Sequence, residues 1–299
     1  MPTEPSRRLA GVVLNFRTPD DTLAAVRSLL ASTRPFDDII VVDNDDDPGC
    51  RDQVARLEGP VRLEAAGRNL GFSGGMNLGI RSALSRGAGA ILLVNSDATV
   101  TPDCAGRLER RLNARVGIVG PVVRGPDDAV ISCGIDYAPS SGRMRERQSG
   151  PLDASVIEVA AVSGCVMLVA REVWDTVGLL DVDYFFSFED IDLCLKARAA
   201  GYATVVAADA VAHHRGSRTI GPDSPKRLYF AARNHLLLAG RVSPAGGLTS
   251  VLRTSSIVSL NVAHAVMSSH GPLAQRLSAV YRGTRDYFEG RLGQGGNGS

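Results

Sequence analysis

The run Ile91-Leu92-Leu93-Val94 passes without a break into Asn95-Ser96-Asp97. Successive apolar residues leave no polar face for water, so they suit a strand buried on both sides, as in a parallel sheet covered by helices. Ligands of such sheets bind outside the carboxyl ends of the strands. Asp97 therefore falls where an open α/β sheet does its chemistry. A carboxylate there is a hard ligand for a divalent cation that also grips phosphate oxygens. A second reading stays open from the residues alone, because Asp is also a favoured N-cap.

The pattern around this strand repeats. Strands are expected at Ala10 to Leu14, Ile39 to Val42, Val61 to Glu64 and Ala90 to Val94. Helices are expected between them at Thr22 to Ser32, Arg51 to Leu57 and Met76 to Arg86. This βαβα rhythm predicts an α/β fold with a mostly parallel central sheet flanked by helices. Further strands are expected at Gly117 to Val123, Ala129 to Ile135 and Val156 to Val169, the last interrupted at Ser163-Gly164. Pro139 to Pro151, rich in Gly, Ser and Arg, reads as a loop. A short helix over Glu172 to Val177, an amphipathic helix over Asp190 to Ala200 ended by Gly201, a strand at Thr204 to Ala207 and a helix over Pro225 to Ala239 follow.

Beyond Gly240, helical patterns near Leu248 to Ser268 and Pro272 to Leu292 form a C-terminal helical appendage, and Gly293 to Ser299 reads as a disordered tail. Leu248, Val251, Leu252, Val258, Val262 and Val266 share one helical face, with Arg253 well off it and Ile257 and Leu260 outside the stripe. The polar face carries few basic residues. The stripe is therefore expected to dock on the preceding domain or on a second subunit rather than on a membrane.

Asp43 ends its strand as Asp97 ends another. Two such acids suit a nucleotide site, one bonding a base or ribose and the other holding a metal on the diphosphate; a turn role is the alternative for Asp43. The stretch Arg68-Asn69-Leu70-Gly71-Phe72-Ser73-Gly74-Gly75-Met76-Asn77 joins a strand to a helix, where glycines let a backbone approach a phosphate. Its spacing is neither the dinucleotide fingerprint nor a P-loop, so a plain tight turn is an equal reading. In Tyr184-Phe185-Phe186-Ser187-Phe188-Glu189-Asp190, an aromatic run delivers two acids to a helix start. Lost solvation there raises a carboxyl pKa and makes a better base, against a capping role for each acid. Asp192 points away from Asp190 on the helix and is assigned to structure. His213-His214 follows a strand, where a neutral imidazole can ligate a metal or be structural.

A formal net charge of +1 gives no electrostatic case for nucleic acid. The five cysteines form no C-x-x-C pair and are odd in number, against a zinc site or a disulfide framework. No window reaches the length of apolar sequence that a spanning helix needs, and Leu9 to Leu14 is too short for a signal peptide. A reduced, cytoplasmic protein is expected.

The ordered set Leu14-Asn15-Phe16, Val41-Val42-Asp43-Asn44, Asn69 to Gly79, Asn95-Ser96-Asp97, Phe188 to Leu193, Ala210 to His213 and Arg233-Asn234 resembles family 2 glycosyltransferases of the GT-A fold, in particular their rhamnosyltransferase-like branch. The similarity covers about residues 9 to 240. It implies a catalytic domain over 1–240, with a nucleotide-binding half at about 9–125 and an acceptor half at about 126–240, and a helical extension over 241–299. It implies that Asp43 contacts the base, that Asn95-Ser96-Asp97 is the metal motif with Asp97 on Mg²⁺ or Mn²⁺, and that His213 completes the metal site. Asn15, Arg68, Asn69, Gly71, Asn77, Asn95 and Ser96 join Asp43 around the nucleotide. Asp190 becomes the base of an inverting displacement, with Glu189 beside it. The donor would be a nucleotide sugar, with dTDP-L-rhamnose as the leading candidate. The acceptor would be a glycan, a lipid-linked glycan or a small molecule. A homodimer through the C-terminal helices and peripheral contact with the inner face of a membrane stay open. The acidic run Asp45-Asp46-Asp47 departs from the family, which carries Ser or Thr there. A non-catalytic nucleotide-sugar-binding module and a nucleotidyltransferase are the alternatives. Asn15-Phe16-Arg17-Thr18-Pro19 lacks the Gly- and Arg/Lys-rich loop of the latter, and Glu189-Asp190 speaks against the former.

Overall fold

The computed structural model describes residues 7–149, 155–216, 224–242, 244, 246–268 and 271–295. Ser217, the expected loop end at Pro151 and most of the expected tail, residues 296–299, lie outside them. The first half runs β1 (Leu9–Asn15), α1 (Pro19–Leu30), β2 (Asp38–Asp43), α2 (Pro48–Ala55), β3 (Val61–Ala65), α3 (Gly71–Ser85) and β4 (Ala90–Asn95). The second half runs β5 (Ala98–Val100), α4 (Cys104–Glu109), β6 (Val116–Arg124), β7 (Val130–Ser132), β8 (Ile135–Ala138), β9 (Arg143–Glu146), β10 (Val156–Val159), β11 (Val166–Ala170), α5 (Arg171–Val177), α6 (Glu189–Ala199) and β12 (Ala203–His214). Helices α7 (Pro225–Val242), α8 (Gly247–Met267) and α9 (Leu273–Phe288) follow.

The large sheet has the order β10-β12-β6-β11-β4-β1-β2-β3. Strands β4, β1, β2 and β3 are mutually parallel. Strand β11 runs against both β4 and β6, so the second half of the sheet is mixed. Double-sided burial follows from the apolar runs. Ile91 and Leu93 of β4 enter one core cluster, and Leu92 and Val94 enter the cluster on the opposite face. Such strands alternate their side chains between two helix-covered layers.

The glycine-rich stretch differs from expectation. Helix α3 begins at Gly71 instead of Met76, so Gly74, Gly75 and Gly79 are helical. A Cβ on Gly75 would sit 2.5 Å from Leu14 Cδ1, and one on Gly79 would sit 2.9 Å from Val42 Cγ2 and against Val12. These glycines let α3 lie close on β1 and β2. Only Gly71, at φ +74°, uses the left-handed freedom of glycine, and a Cβ there would meet the Phe185 carbonyl at 2.5 Å.

The stretch expected as a loop from Pro139 contains β9, which pairs with β8 as an antiparallel hairpin. The single strand expected over Ala129 to Ile135 is split into β7 and β8 at Cys133-Gly134, where Gly134 takes φ +101°. Polar residues along β9 hid it: Arg143 and Arg145 face solvent. The hairpin tip is latched by α7, whose His235 Nε2 lies 2.7 Å from the Gly142 carbonyl.

Helix α8 packs through the face opposite to the one expected. Arg253, Ile257 and Ala265 are buried, at 6%, 1% and 0% exposure, and Asn261 Nδ2 donates to His235 Nδ1 at 3.2 Å. Leu248, Val251, Leu252, Val262 and Val266 are exposed. Arg253 and Asn261 on the packing face defeat a reading by hydrophobic period alone.

Candidate active site

The register of the parallel strands brings their carboxyl ends level. Asn15 lies beside Asp43, and Leu14 lies beside Asn95. Beyond these ends opens a cleft of about 730 Å³, lined by Leu14, Phe16, Phe72, Phe185 and Phe186 with Asn44, Asn69, Gly71, Asn95, Ser96, Asp97 and Lys226. Five of the residues expected at the site, namely Asn69, Gly71, Asn95, Ser96 and Asp97, therefore share one cavity.

Asp97 is met by a histidine from β12, the one after the residue expected. His214 Nε2 lies 3.2 Å from Asp97 Oδ1. Neighbouring side chains on a strand point to opposite faces, so the pairing with Asp97 sends His213 away from it. The pair is close but not aligned as a hydrogen bond: His214 Nε2 is buried without a hydrogen-bond partner, as is Asn95 Oδ1. Unpartnered buried nitrogen and oxygen atoms beside a carboxylate fit a hard cation. Among the described residues no group of three His, Cys, Asp or Glu forms a cage.

Asp190 starts α6 half-buried. Its Oδ2 accepts from Gly164 N–H at 2.6 Å and its Oδ1 from Ile191 N–H at 2.8 Å. The next residue, Cys165, accepts from Asn95 N–H at 2.9 Å. One short segment thus ties the Asp190 carboxylate to the end of β4. Burial raises the Asp190 pKa, and the two N–H groups and its own backbone oppose that rise. Glu189 is 5% exposed with Oε2 unpartnered. Burial first, and the Asp190 charge second, push its carboxyl pKa well above the ordinary value. Asp192 is used structurally, receiving Tyr184 O–H at 3.1 Å and Lys196 Nζ at 2.6 Å.

The aromatic loop before α6 is strained: Phe185, Ser187 and Phe188 have φ of 60°, 68° and 82°. Arg233 and Asn234 of α7 hold it. Both are fully buried. Asn234 Nδ2 donates to the carbonyls of Tyr184, Phe186 and Ser187 at 2.8–2.9 Å, and Arg233 donates to those of Asp183 and Tyr184.

The remaining expected residues stand apart from the cavity wall. Asp43 is fully buried, accepting from Asn15 Nδ2 and Asp47 N–H, with Arg51 Nε 3.4 Å from Oδ2. Asn15 is fully buried and its Oδ1 accepts from Thr18 N–H and Thr22 Oγ1, so it fastens β1 to α1. Asn77 is a correction. Its amide closes both ways on Leu180, at 2.7 and 3.0 Å, and fixes α3 to the loop before α6 instead of facing the cleft. Arg68 is exposed, one residue from the lining at Asn69. The acidic run has a local use: Asp47 caps α2 by accepting from Gly49 N–H at 2.8 Å.

Two residues near the site escaped the sequence reading. Lys226, one of only two lysines, lines the cleft from α7. Of the histidine pair read in the sequence, His214 is the one beside Asp97. Glu146, at the end of β9, approaches closely enough that its carboxyl feels Asp190 and His214. Desolvation raises its pKa, and a hydrogen bond from Ser132 opposes that. Asp97, Glu146 and Asp190 all act on the buried Cys165 thiol, whose pKa burial already raises. Nothing in the linear order of a hairpin and a distant helix signals that meeting.

Residues 12–173 match the family model described as glycosyl transferase family 2. The chain belongs to that family. An uncharacterised Mycobacterium tuberculosis protein is 31% identical over 61% of this chain, and the match spans 65% of that protein's length. A dTDP-rhamnosyl transferase of Shigella flexneri is 26% identical over 67% of this chain and 70% of its own. In fold, the chain superposes on a Pyrobaculum calidifontis mannosyltransferase solved with GDP-mannose and Mn²⁺. The TM-score is 0.59 at 16% identity, over 95% of this chain and 84% of that one. The architecture is that of GT-A glycosyltransferases, and the rhamnosyltransferase-like resemblance holds.

Proposed function

We propose that the cleft moves a sugar from a nucleoside-diphosphate sugar to an acceptor hydroxyl with inversion at the anomeric carbon. One observation carries this reading. The Gly164-Cys165 segment binds the Asp190 carboxylate on one side and the end of β4 on the other, so a candidate base is tied to the strand that leads into Asp97 and its neighbour His214.

A divalent cation held by Asp97 and His214 would supply charge stabilisation for the leaving diphosphate. Asp190 takes the acceptor hydroxyl's proton on a carboxylate oxygen, and its raised pKa strengthens it for that task. Lys226 faces the same space and adds a point charge for phosphate oxygens. Phe185 and Phe186, set by the strained loop, wall the cleft and exclude water. Asp43, with Arg51 beside it, shapes the base end of the donor site. The residues to about 125 serve the donor and those from about 126 to 240 the acceptor, in a cytoplasmic enzyme. The donor proposed first is dTDP-L-rhamnose, on the likeness to the Shigella flexneri protein. The acceptor proposed is a glycan or a lipid-linked glycan.

A thermal-shift screen of dTDP-, UDP- and GDP-sugars with Mn²⁺ tests the reading, since a ligand that binds only the folded state raises its melting temperature. The largest shift should come from dTDP-rhamnose, and only with the metal present. No shift with any nucleotide sugar would remove the donor site.

A further inference from the structure

The inward face of the β8–β9 hairpin ends in a carboxylate. Directly paired residues of an antiparallel ladder share a face, and neighbours along a strand alternate. The pairs Ile135–Glu146 and Tyr137–Met144 therefore lie on one side. Ile135, Tyr137 and Met144 pack against one of the two large core clusters, so this is the inward side. Glu146 is its one charged member. The opposite side carries Asp136, Arg143 and Arg145, and Arg147 just beyond β9 closes on Asp136. A carboxylate at the end of an apolar face loses solvation, as the Glu146 carboxyl does. Its residue is still open to solvent, so a ligand can reach it.

The same end of the hairpin lies against the segment that holds Asp190. Ile135, opposite Glu146, donates its N–H to the Ala161 carbonyl at 2.8 Å, and the Ala161 N–H donates back at 3.1 Å. From Ala161 the chain runs through Ser163 to Gly164, whose N–H binds the Asp190 carboxylate. Glu146 accordingly feels Asp190 of α6, His214 of β12 and Arg227 of α7. Buried Ser132 donates a hydrogen bond to Glu146 and orients it. An ionised carboxyl offers about four acceptor sites, so most of its capacity remains open. Carboxylates only accept, so a ligand that bridges Glu146 and Asp190 must donate to both. Arg227 already supplies positive charge beside Glu146, which leaves hydroxyl donors as the missing part. Two neighbouring hydroxyls on a sugar ring provide one donor for each carboxylate. A monohydric alcohol provides one only.

We propose that Glu146 binds the acceptor, and that it selects a sugar carrying a second hydroxyl next to the one that Asp190 deprotonates. This rests on the glycosyltransferase reading of the cleft and narrows its acceptor to a vicinal diol. One hydroxyl donates to Asp190 and its neighbour donates to Glu146, while Arg227 offsets the second carboxylate's charge. An acceptor turned to present another hydroxyl leaves Glu146 without its donor, and a lost bond to a charged group costs more than a lost neutral one. The hairpin thereby chooses which hydroxyl is glycosylated. Its place relative to Arg227 is set by α7 itself, because His235 of that helix latches the hairpin tip at Gly142.

Transfer assays on the full chain test it, with Mn²⁺ and dTDP-rhamnose, or whichever nucleotide sugar gives the largest thermal shift. The acceptors are p-nitrophenyl hexosides and their monodeoxy counterparts. Wild type should prefer a hexoside to the counterpart lacking the neighbouring hydroxyl by ~10-fold or more in kcat/KM. Glu146→Ala should lose about that factor on the hexoside and use the two acceptors about equally. Glu146→Gln keeps an oxygen for Ser132 and should narrow the preference in the same direction. Both variants should keep the wild-type melting temperature and donor-induced shift, because Glu146 is not part of the cleft lining. A preference that survives in folded Glu146→Ala overturns the proposal. So does a wild-type enzyme that uses a hexoside and its monodeoxy counterparts alike. Donor binding and hydrolysis by water, without transfer to any hexoside, removes the sugar diol and leaves the donor site standing. No donor-induced shift in wild type instead removes the donor reading, and this proposal falls with it.

Discussion

Adjacent carboxylates at the start of α6 have opposite fates. Asp190 accepts two N–H groups, whereas Glu189 is sealed with an unpartnered oxygen. Asp190→Asn should bind donor normally and lose turnover by ~10²-fold or more, because the amide cannot take the proton. Glu189→Gln should keep turnover within a few-fold. The raised pKa of Glu189 also fixes a sign. Its neutral form contributes fully below the unfolded carboxylate value, and that contribution is lost as pH rises toward the folded value. The Gln variant cannot ionise, so its urea midpoint should gain on wild type as pH rises above the unfolded carboxylate value. Equal turnover losses in the two variants would move the base to Glu189. The histidines separate in the same way. His214→Ala should raise the Mn²⁺ concentration needed for half-maximal activity, and His213→Ala should leave it unchanged. The opposite order would restore the one-residue-earlier assignment.

At the scale of elements, the part legible in the sequence was the part whose physics is one-dimensional. Strands β1, β2 and β4 are apolar on both faces, and their ends in Asn15, Asp43 and Asn95 could be read directly. Asp97, Asn69, Gly71 and Ser96 then follow into the cleft. What escaped depends on partners distant in the chain. The β8–β9 hairpin has one polar face and a latch on α7, so its residues resemble a loop. Asn77 resembles a ligand contact until Leu180 arrives to close both ends of its amide. The His213-His214 register needed the bulge between Ala207 and Val211 in the β12–β6 pairing, which shifts alternation along the strand. Arg233-Asn234 was legible as a pair but not as the brace of the Tyr184–Phe188 loop. Asn234→Ala leaves the carbonyls of Tyr184, Phe186 and Ser187 without that donor. It should cost about 1–3 kcal/mol in urea unfolding. Turnover should fall further than donor affinity, since Phe188 leads through Glu189 into Asp190. Unchanged stability would mean that the loop holds its left-handed residues without this brace.

Across the whole molecule, two large core clusters on opposite sheet faces make a rigid base, and smaller clusters join α7 to α8 and α9. Helix α7 serves both parts. It braces the aromatic loop through Arg233 and Asn234, supplies Lys226 to the cleft, and carries the C-terminal helices. The central claim is that this frame presents Asp97 to a cation shared with a nucleoside diphosphate. Titration calorimetry of dTDP, with and without Mn²⁺, on wild type and Asp97→Ala tests it most directly. Mn²⁺ should tighten dTDP binding by ~10-fold or more in wild type, in line with ordinary coupling energies. Asp97→Ala should abolish this gain while the melting temperature without ligand stays near wild type. An Asp97→Ala protein that is folded and keeps the full metal-dependent gain would contradict it.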